Sequence, residues 1–289
     1  MSEIDELRTA VRGFLDKHAP VGTHDPQVWQ RMTSELGLLS LVEEEQPLPL
    51  VCAVLEETGR VLLDAPFLPT VVALLAVPGL ALPDGGSAAL ALDGSLDQVA
   101  YADGASVLLV SRDDALLAVD DFAASPVDPL DATRPRASVV AAEGSPAGDA
   151  VRARDLEWLA LAAESIGAAQ RLLELTVEHL LTREQFGRPL GSFQALRHRV
   201  ADLTVLVEAA TSTVWYAARS DSLSVDAPLA LATASDAFVA VAGEAIQLHG
   251  GIGFTAEHDV HLYFKRAWTT ALLHDSRALR RLSFERSGR

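Results

Sequence analysis

Arg183-Glu184-Gln185-Phe186-Gly187-Arg188-Pro189-Leu190-Gly191-Ser192-Phe193-Gln194-Ala195-Leu196-Arg197-His198-Arg199-Val200-Ala201-Asp202 joins two stretches of helical periodicity. Upstream, Leu156, Leu159, Ala163, Ile166, Leu173, Val177 and Leu180 recur mostly at three- and four-residue steps. Downstream, Phe193, Leu196, Val200, Leu203, Val207, Ala210 and Val214 do the same, the spacing of one apolar helix face. Gly187, Pro189 and Gly191 break the first helix, and Ser192 is placed to cap the second. An arginine and two glutamines therefore gather at a helix-to-helix turn, where side chains and free backbone N–H groups can surround an anion.

The pattern R-x-Q-F-G-x-P-x-x-x-F-Q-x-x-x-H-x-x-A-D in this stretch resembles the signature of the acyl-CoA dehydrogenase family of flavoproteins. About sixty residues on, Gln247-Leu248-His249-Gly250-Gly251-Ile252-Gly253-Phe254 resembles that family's glycine turn. Close similarity runs from about Leu156 to Arg266. The resemblance implies FAD as cofactor, with the Arg183 guanidinium on its diphosphate, where a planar fork matches phosphate oxygens. Gln185 opens the turn beside it, Phe186 packs near the dinucleotide, and Phe193 and Gln194 approach from the next helix. Gln247, Gly250 and Gly251 lie, in the family, against the adenosine-diphosphate half of a flavin held by a neighbouring subunit. Without the family, Arg183 reads as a cation at a helix end, and the glycines as a helix cap.

Bulk composition sets other bounds. The 289 residues are 49% hydrophobic but only 6% aromatic, the composition of a helix-rich protein with a large core. A net charge of −17 argues against nucleic-acid or anionic-membrane binding. A dinucleotide or CoA site in so acidic a chain needs a local basic lining, for which Arg183, Arg188, Arg197 and Arg199 are available. Cys52, the one cysteine, sits among Val51, Ala53 and Val54 and reads as a buried thiol. Glu257-His258-Asp259-Val260-His261 has two histidines three residues apart, but no further clustered ligand, so no metal site is expected. Asp259 reads instead as a helix cap. The N-terminus has an acidic amphipathic pattern rather than that of a signal peptide, and the apolar run near Phe67–Val77 is short and proline-broken. The expectation is a cytoplasmic protein.

The fold class expected is mainly α with a small β domain. An N-terminal helical domain (1–80) carries helices from Ile4, from Asp25-Pro26, over about Leu50–Leu62 and over about Leu68–Ala76. A reduced β-barrel or sheet (81–150) has strands near Ala88–Leu92, Gln98–Ala102, Ser106–Val110, Ala115–Val119 and Ala137–Ala142, with a hairpin turn at Asp113-Asp114. The family's flavin-wrapping T/S-E-x-x-x-G-S segment is absent there, although Leu130-Asp131-Ala132-Thr133-Arg134 is similar to a later piece of that domain. A C-terminal four-helix bundle (151–289) begins near Asp155, includes a helix from about Asp226 that ends at Gly250-Gly251, and closes with one from Leu262.

Desaturation next to a thioester needs a carboxylate to remove the α-proton. In register with the family's usual glutamate stands His274, followed by Asp275, so the usual base is missing and either is only a substitute for it. Other members carry the base on the helix before the arginine, and that position is Glu157. Its alternative reading is an acid favoured by the dipole in a helix first turn, and Glu164 on the same helix reads as structural. On an unbroken helix Glu157 and Arg183 lie about 39 Å apart, so both can act only toward different flavins, in sites between subunits. Two functions follow from the resemblance. One is an FAD-dependent α,β-dehydrogenation of an acyl-CoA or related thioester, in fatty acid or steroid degradation, that passes electrons to an acceptor flavoprotein. The other is a non-catalytic subunit completing a related partner's FAD site. Either implies a homodimer or tetramer, or a heterotetramer with a related subunit.

Overall fold

The computed structural model describes residues 2–288. The N-terminal helices are α1 (Glu3–His18), α2 (Pro26–Ser34), α3 (Pro47–Arg60) and α4 (Phe67–Ala76), with a 3-10 turn at Leu38–Glu43 between α2 and α3. The Asp25 carboxylate caps α2 by accepting from the Gln27 N–H, with Pro26 in the first turn. Helix α3 starts three residues before the expected Leu50 because Pro47 and Pro49 are tolerated in a first turn, whose N–H groups are unbonded anyway.

Seven strands follow rather than five. Strands β1 (Ala88–Ala91), β3 (Val107–Arg112), β4 (Ala115–Val119) and β7 (Ser145–Asp149) form one sheet in that order. Its β1–β3 pair is parallel and the rest are antiparallel. Strands β2 (Val99–Ala100), β6 (Arg136–Ala141) and β5 (Phe122–Val127) form a second, antiparallel sheet. These are two small sheets rather than a closed barrel. The β3–β4 turn falls at Asp113 and Asp114 as expected, with Asp113 at φ +54°.

Helix α5 (Ala150–Thr182) is continuous for 33 residues and is capped by Asp149, which accepts from the Val151 and Arg152 N–H groups. A hairpin of β8 (Glu184–Gln185) and β9 (Arg188–Pro189) leads to α6 (Gln194–Ala217), then α7 (Leu223–His249), α8 (Val260–Leu273) and α9 (Ser276–Arg286). Three local expectations are corrected. Ser192 does not cap α6: it lies in a 3-10 turn, its hydroxyl donates to the Pro189 carbonyl (2.7 Å), and Phe193 occupies the cap position. Asp259 precedes α8 but makes no side-chain capping bond, because its own backbone is already helical. Helix α5 begins five residues before Asp155, so Glu157 stands in its third turn rather than its first. Helix α7 is also long and apolar enough to cross a membrane, with a mean hydropathy of 1.5 over its best window. More than half of that window is buried, because α7 packs against α5, α6, α8 and α9.

One apolar core spans the N-terminal helices, β1 and β3, and the first half of α5 with α7, drawing on Met32, Leu55, Phe67, Leu109, Leu159 and Leu231. A second fills the bundle around Leu172, Val207, Phe238 and Tyr263. Helices α3 and α5 cross at two glycines. A Cβ on Gly167 would stand 1.9 Å from the Glu56 carbonyl oxygen, and one on Gly59 would stand 2.0 Å from that of Glu164. Backbone meets backbone there, so neither position admits a side chain. Gly167→Ala is expected to lower the free energy of unfolding by about 1–3 kcal/mol, read as a lower urea midpoint with an unchanged slope. An unchanged midpoint would show that the helices can separate without cost.

Candidate functional site

Two concavities lie near opposite ends of α5. The larger, about 650 Å³, opens between the two small sheets, α5, α8 and α9. Glu157 faces it from α5, and His274 and Asp275 line it from the α8–α9 junction. The three positions weighed for the base thus meet in one place. Helix periodicity puts Arg154, Glu157, Trp158, Leu161 and Glu164 on the same wall. Strand β6 and its lead-in contribute Arg136 and Arg134, while Asp93 and Asp97 stand exposed at the rim.

The electrostatics of this cavity separate its titratable groups. Burial, with a smaller push from Asp93, raises the half-buried Glu157 carboxyl to about 7, against the opposing pull of Arg154, Arg134 and Arg136. Burial lowers His274 to about 4, and the Arg134 guanidinium presses it the same way, so this imidazole is neutral near pH 7. Glu164 serves elsewhere: its buried carboxylate pairs with Arg134 and, at 3.3 Å, with Arg266. Arg266, only 1% exposed, also donates to Asp131 and to the Thr133 hydroxyl (2.7 Å). The Leu130–Arg134 segment therefore anchors the second sheet to α5 and α8.

The smaller recess, about 370 Å³, is lined by His179, Arg183, Leu190, Leu196, Arg199, Gln247, Leu248, His249, Gly250 and Gly251. The fold thus brings Arg183 from the end of α5 to Gln247 and the glycines at the end of α7, across a gap of more than sixty residues. Arg199 is paired with Glu244 (3.1 Å), but among the described residues no carboxylate lies within 4.0 Å of Arg183. A Cβ on Gly250 or Gly251 would meet nothing within 4 Å, so the space above the turn is open. Beneath it, His249 stacks on His179 (centroids 4.4 Å apart) and meets His258 edge-on (4.7 Å). The His249 Nδ1–H donates to the Ala245 carbonyl, and its buried Nε2 has no partner. Nothing in the sequence pattern links these three rings except that His249 directly precedes Gly250.

Gln185, Phe186 and Gln194 stand on the hairpin side, exposed and outside the recess lining. The hairpin turn is Phe186-Gly187, with φ +55° and +75°, the signs of a type I′ turn. A phenylalanine there is uncommon, and this one is 90% exposed. Its ring meets Phe193 edge-on at 6.1 Å, and the Arg188 guanidinium lies over the Phe193 ring, 4.0 Å from its centroid.

Three comparisons bear on this arrangement. The family profile described as acyl-CoA dehydrogenase, C-terminal domain, matches residues 150–275. Acyl-CoA dehydrogenase IpdE2 of Mycobacterium tuberculosis is 39% identical over 305 aligned positions, covering 96% of both chains. Among solved structures, the ChsE4-ChsE5 complex of Mycobacterium tuberculosis superposes with a TM-score of 0.85 at 25% identity, over 97% of this chain and 96% of that one. The Tcur3481-Tcur3483 steroid ACAD gives a TM-score of 0.81 at 25% identity, over 99% and 98%.

The Glu157 carboxyl makes a checkable contribution to stability. Its folded-state value of about 7 lies above the ordinary 4.5, so the stabilisation is complete below about pH 4.5 and is lost as pH rises through 7. Glu157→Gln should remove that loss. The difference in melting temperature between variant and wild type is expected to grow in the variant's favour from pH 4.5 to 7.5, and the subtraction cancels the opposing contribution of His274. A difference that is flat in pH would show that Glu157 ionises as freely as in water.

Proposed function

Because this chain belongs to the acyl-CoA dehydrogenase family, we propose that it takes part in the FAD-dependent α,β-dehydrogenation of an acyl thioester, with Glu157 as the base. The observation that carries the reading is the cavity carboxylate: Glu157 sits beside a space of about 650 Å³ and ionises near 7. A base with a value near the working pH is both ionised and strong enough to take an α-proton. Standing in the third turn of α5, it gains little from the helix dipole, which acts within the first turn. The cavity, not the helix end, accounts for an acid at this position.

On this reading Glu157 accepts the proton at its carboxylate oxygen, while Arg154 and Arg136 offset the charge of the ionised form. His274, neutral near pH 7, shares the wall without a second charge to compete. FAD, when bound, supplies the acceptor for the hydride that leaves the β-carbon. The hinge recess fits the diphosphate of such a cofactor: among the described residues Arg183 has no carboxylate within 4.0 Å, and the glycine turn leaves open space beside it. Gln185, Phe186, Phe193 and Gln194 would flank the dinucleotide from the hairpin and the start of α6, and Gln247 with Gly250 and Gly251 from the end of α7. Since about 39 Å of helix separates Glu157 from Arg183, the two would serve different flavins across a subunit boundary. The assembly is a homo-oligomer or a pairing with a related subunit, and an electron-accepting flavoprotein reoxidises it.

The family's unlike-subunit pairing leaves a second reading, a non-catalytic subunit that lends its hinge to a partner's flavin. It is favoured by the two small sheets in place of a barrel and by exposed apolar side chains on α6, Val205 (68%) and Tyr216 (67%) among them. Visible spectra separate the readings. A chain that is yellow when purified alone supports the first, and a colourless chain that turns yellow only on co-expression with a related subunit supports the second; in either case Arg183→Ala should weaken flavin retention about tenfold or more, the loss expected of a charge-assisted bond. Glu157→Gln should keep the flavin yet stop its bleaching by acyl-CoA. Bleaching at the wild-type rate would remove Glu157 from the chemistry.

A further inference from the structure

Three guanidinium groups, Arg134, Arg136 and Arg154, line the Glu157 cavity beside the carboxyl groups of Asp93, Asp97, Glu157, Glu164 and Asp275. Arg134 is committed to Glu164. The other two are held only by neutral oxygens. Arg154 donates to the Leu92 carbonyl (2.9 and 3.2 Å) and the Ser111 hydroxyl (3.2 Å). Arg136 donates to the Gln98 carbonyl (2.7 Å), and its buried Nε has no partner at all. Among the described residues neither has a carboxylate within 4.0 Å. The Arg136 Nη2 also makes no hydrogen bond among the described residues, and unlike Nε it keeps accessible surface, so an acceptor oxygen on a ligand can meet a guanidinium N–H whose desolvation would otherwise be costly. Leu68, Trp158, Leu161 and Leu279 line the same space, so apolar surface stands beside a few polar donors, the usual composition of a selective small-molecule pocket.

We propose that this cavity selects an acyl group bearing an acceptor oxygen away from its thioester, held by Arg136 and Arg154, over a plain alkyl chain. The inference rests on the reading of the cavity as the acyl site. The oxygen can come from a ketone or from a second carboxylate. A ketone adds no charge beside Glu157, whereas a carboxylate gains more from the bidentate fork. A plain alkyl chain would strip water from the Arg136 Nη2 and leave it unbonded, so discrimination against it comes from that unmet donor.

Calorimetric titration of the full chain with three five-carbon thioesters, pentanoyl-CoA, levulinoyl-CoA and glutaryl-CoA, tests this, with CoA itself as reference. Levulinoyl-CoA or glutaryl-CoA is expected to bind roughly tenfold or more tighter than pentanoyl-CoA, the value of a hydrogen bond to a charged group, and the tighter of the two identifies the oxygen. Arg136→Leu should bring the three thioesters to one affinity. Arg136→Lys, which keeps the charge but loses the fork, should retain part of the preference, and a wild-type melting temperature shows that either variant is folded. Pentanoyl-CoA binding as tightly as the oxygenated probes, or a preference that survives Arg136→Leu, overturns the proposal. If the chain is yellow and bleached by acyl-CoA in that case, the dehydrogenase reading still stands. Binding of no thioester beyond CoA overturns both.

Discussion

The Glu164 carboxylate holds the architecture together, because three parts of the chain close on that one residue. Its side chain takes Arg134 from the segment before β6 and Arg266 from α8, and its carbonyl lies against Gly59 of α3 with no room for a methyl group. A buried charge cluster of this kind adds little stability over a well-packed apolar one, but removing a single member leaves a partner unpaired and costs several kcal/mol. What it supplies is placement. Asp131, Thr133 and Arg134 can meet Arg266 and Glu164 in one arrangement only, so the second sheet is set against α5 at a fixed depth. The cavity beside Glu157 lies between that sheet and the helix, whose separation these ion pairs fix.

Helix α5 then fixes the distance between the two candidate sites. Its 33 residues run without a break, although Gly167 sits near the middle, because that glycine is filled by the backbone of α3 rather than left to bend. The rise of the helix separates the cavity from the hinge by about 39 Å, farther than one dinucleotide reaches. Each end gathers arginines in a chain of net charge −17, while many of the other arginines are taken up by ion pairs such as Arg12–Glu57 and Arg60–Glu174. The arginines at the two ends, Arg183 at the hinge and Arg136 and Arg154 in the cavity, are among those not answered by a carboxylate.

Local pattern was enough to find what is locally determined. The apolar steps through Leu156–Leu180 and Phe193–Val214 mark α5 and α6, Asp25-Pro26 marks the start of α2, and Gly250 ends α7 with a positive φ. The strands that escaped detection, β5 and β7, read Phe-Ala-Ala-Ser-Pro-Val and Ser-Pro-Ala-Gly-Asp. Neither shows the β-branched alternation that advertises a strand, and both exist because β6 and β4 offer them edges. The hinge was legible as a break but not as a hairpin, since Phe186-Gly187 puts an aromatic ring where asparagine or aspartate is the usual signal. In the cavity, Glu157 and His274 were reached through the resemblance. Arg136, Arg154 and Asp93 come from three separate elements, and no spacing along the chain relates them.

That difference bears on how the two candidate sites should be weighed. The hinge draws its residues from contiguous motifs, yet most of them face solvent: Phe186 holds a left-handed backbone and an exposed ring that meets Phe193 edge-on. Strain without local compensation is kept where something outside the chain uses it, and a ring standing free at a hairpin tip gains its packing only when another surface arrives. The cavity is the reverse, with polar groups enclosed by the chain's own elements and one guanidinium N–H still unbonded. On the proposed reading these are two halves of one assembly. The end that nearly completes itself recognises the small ligand, and the end that does not is finished by a neighbouring subunit and the dinucleotide between them.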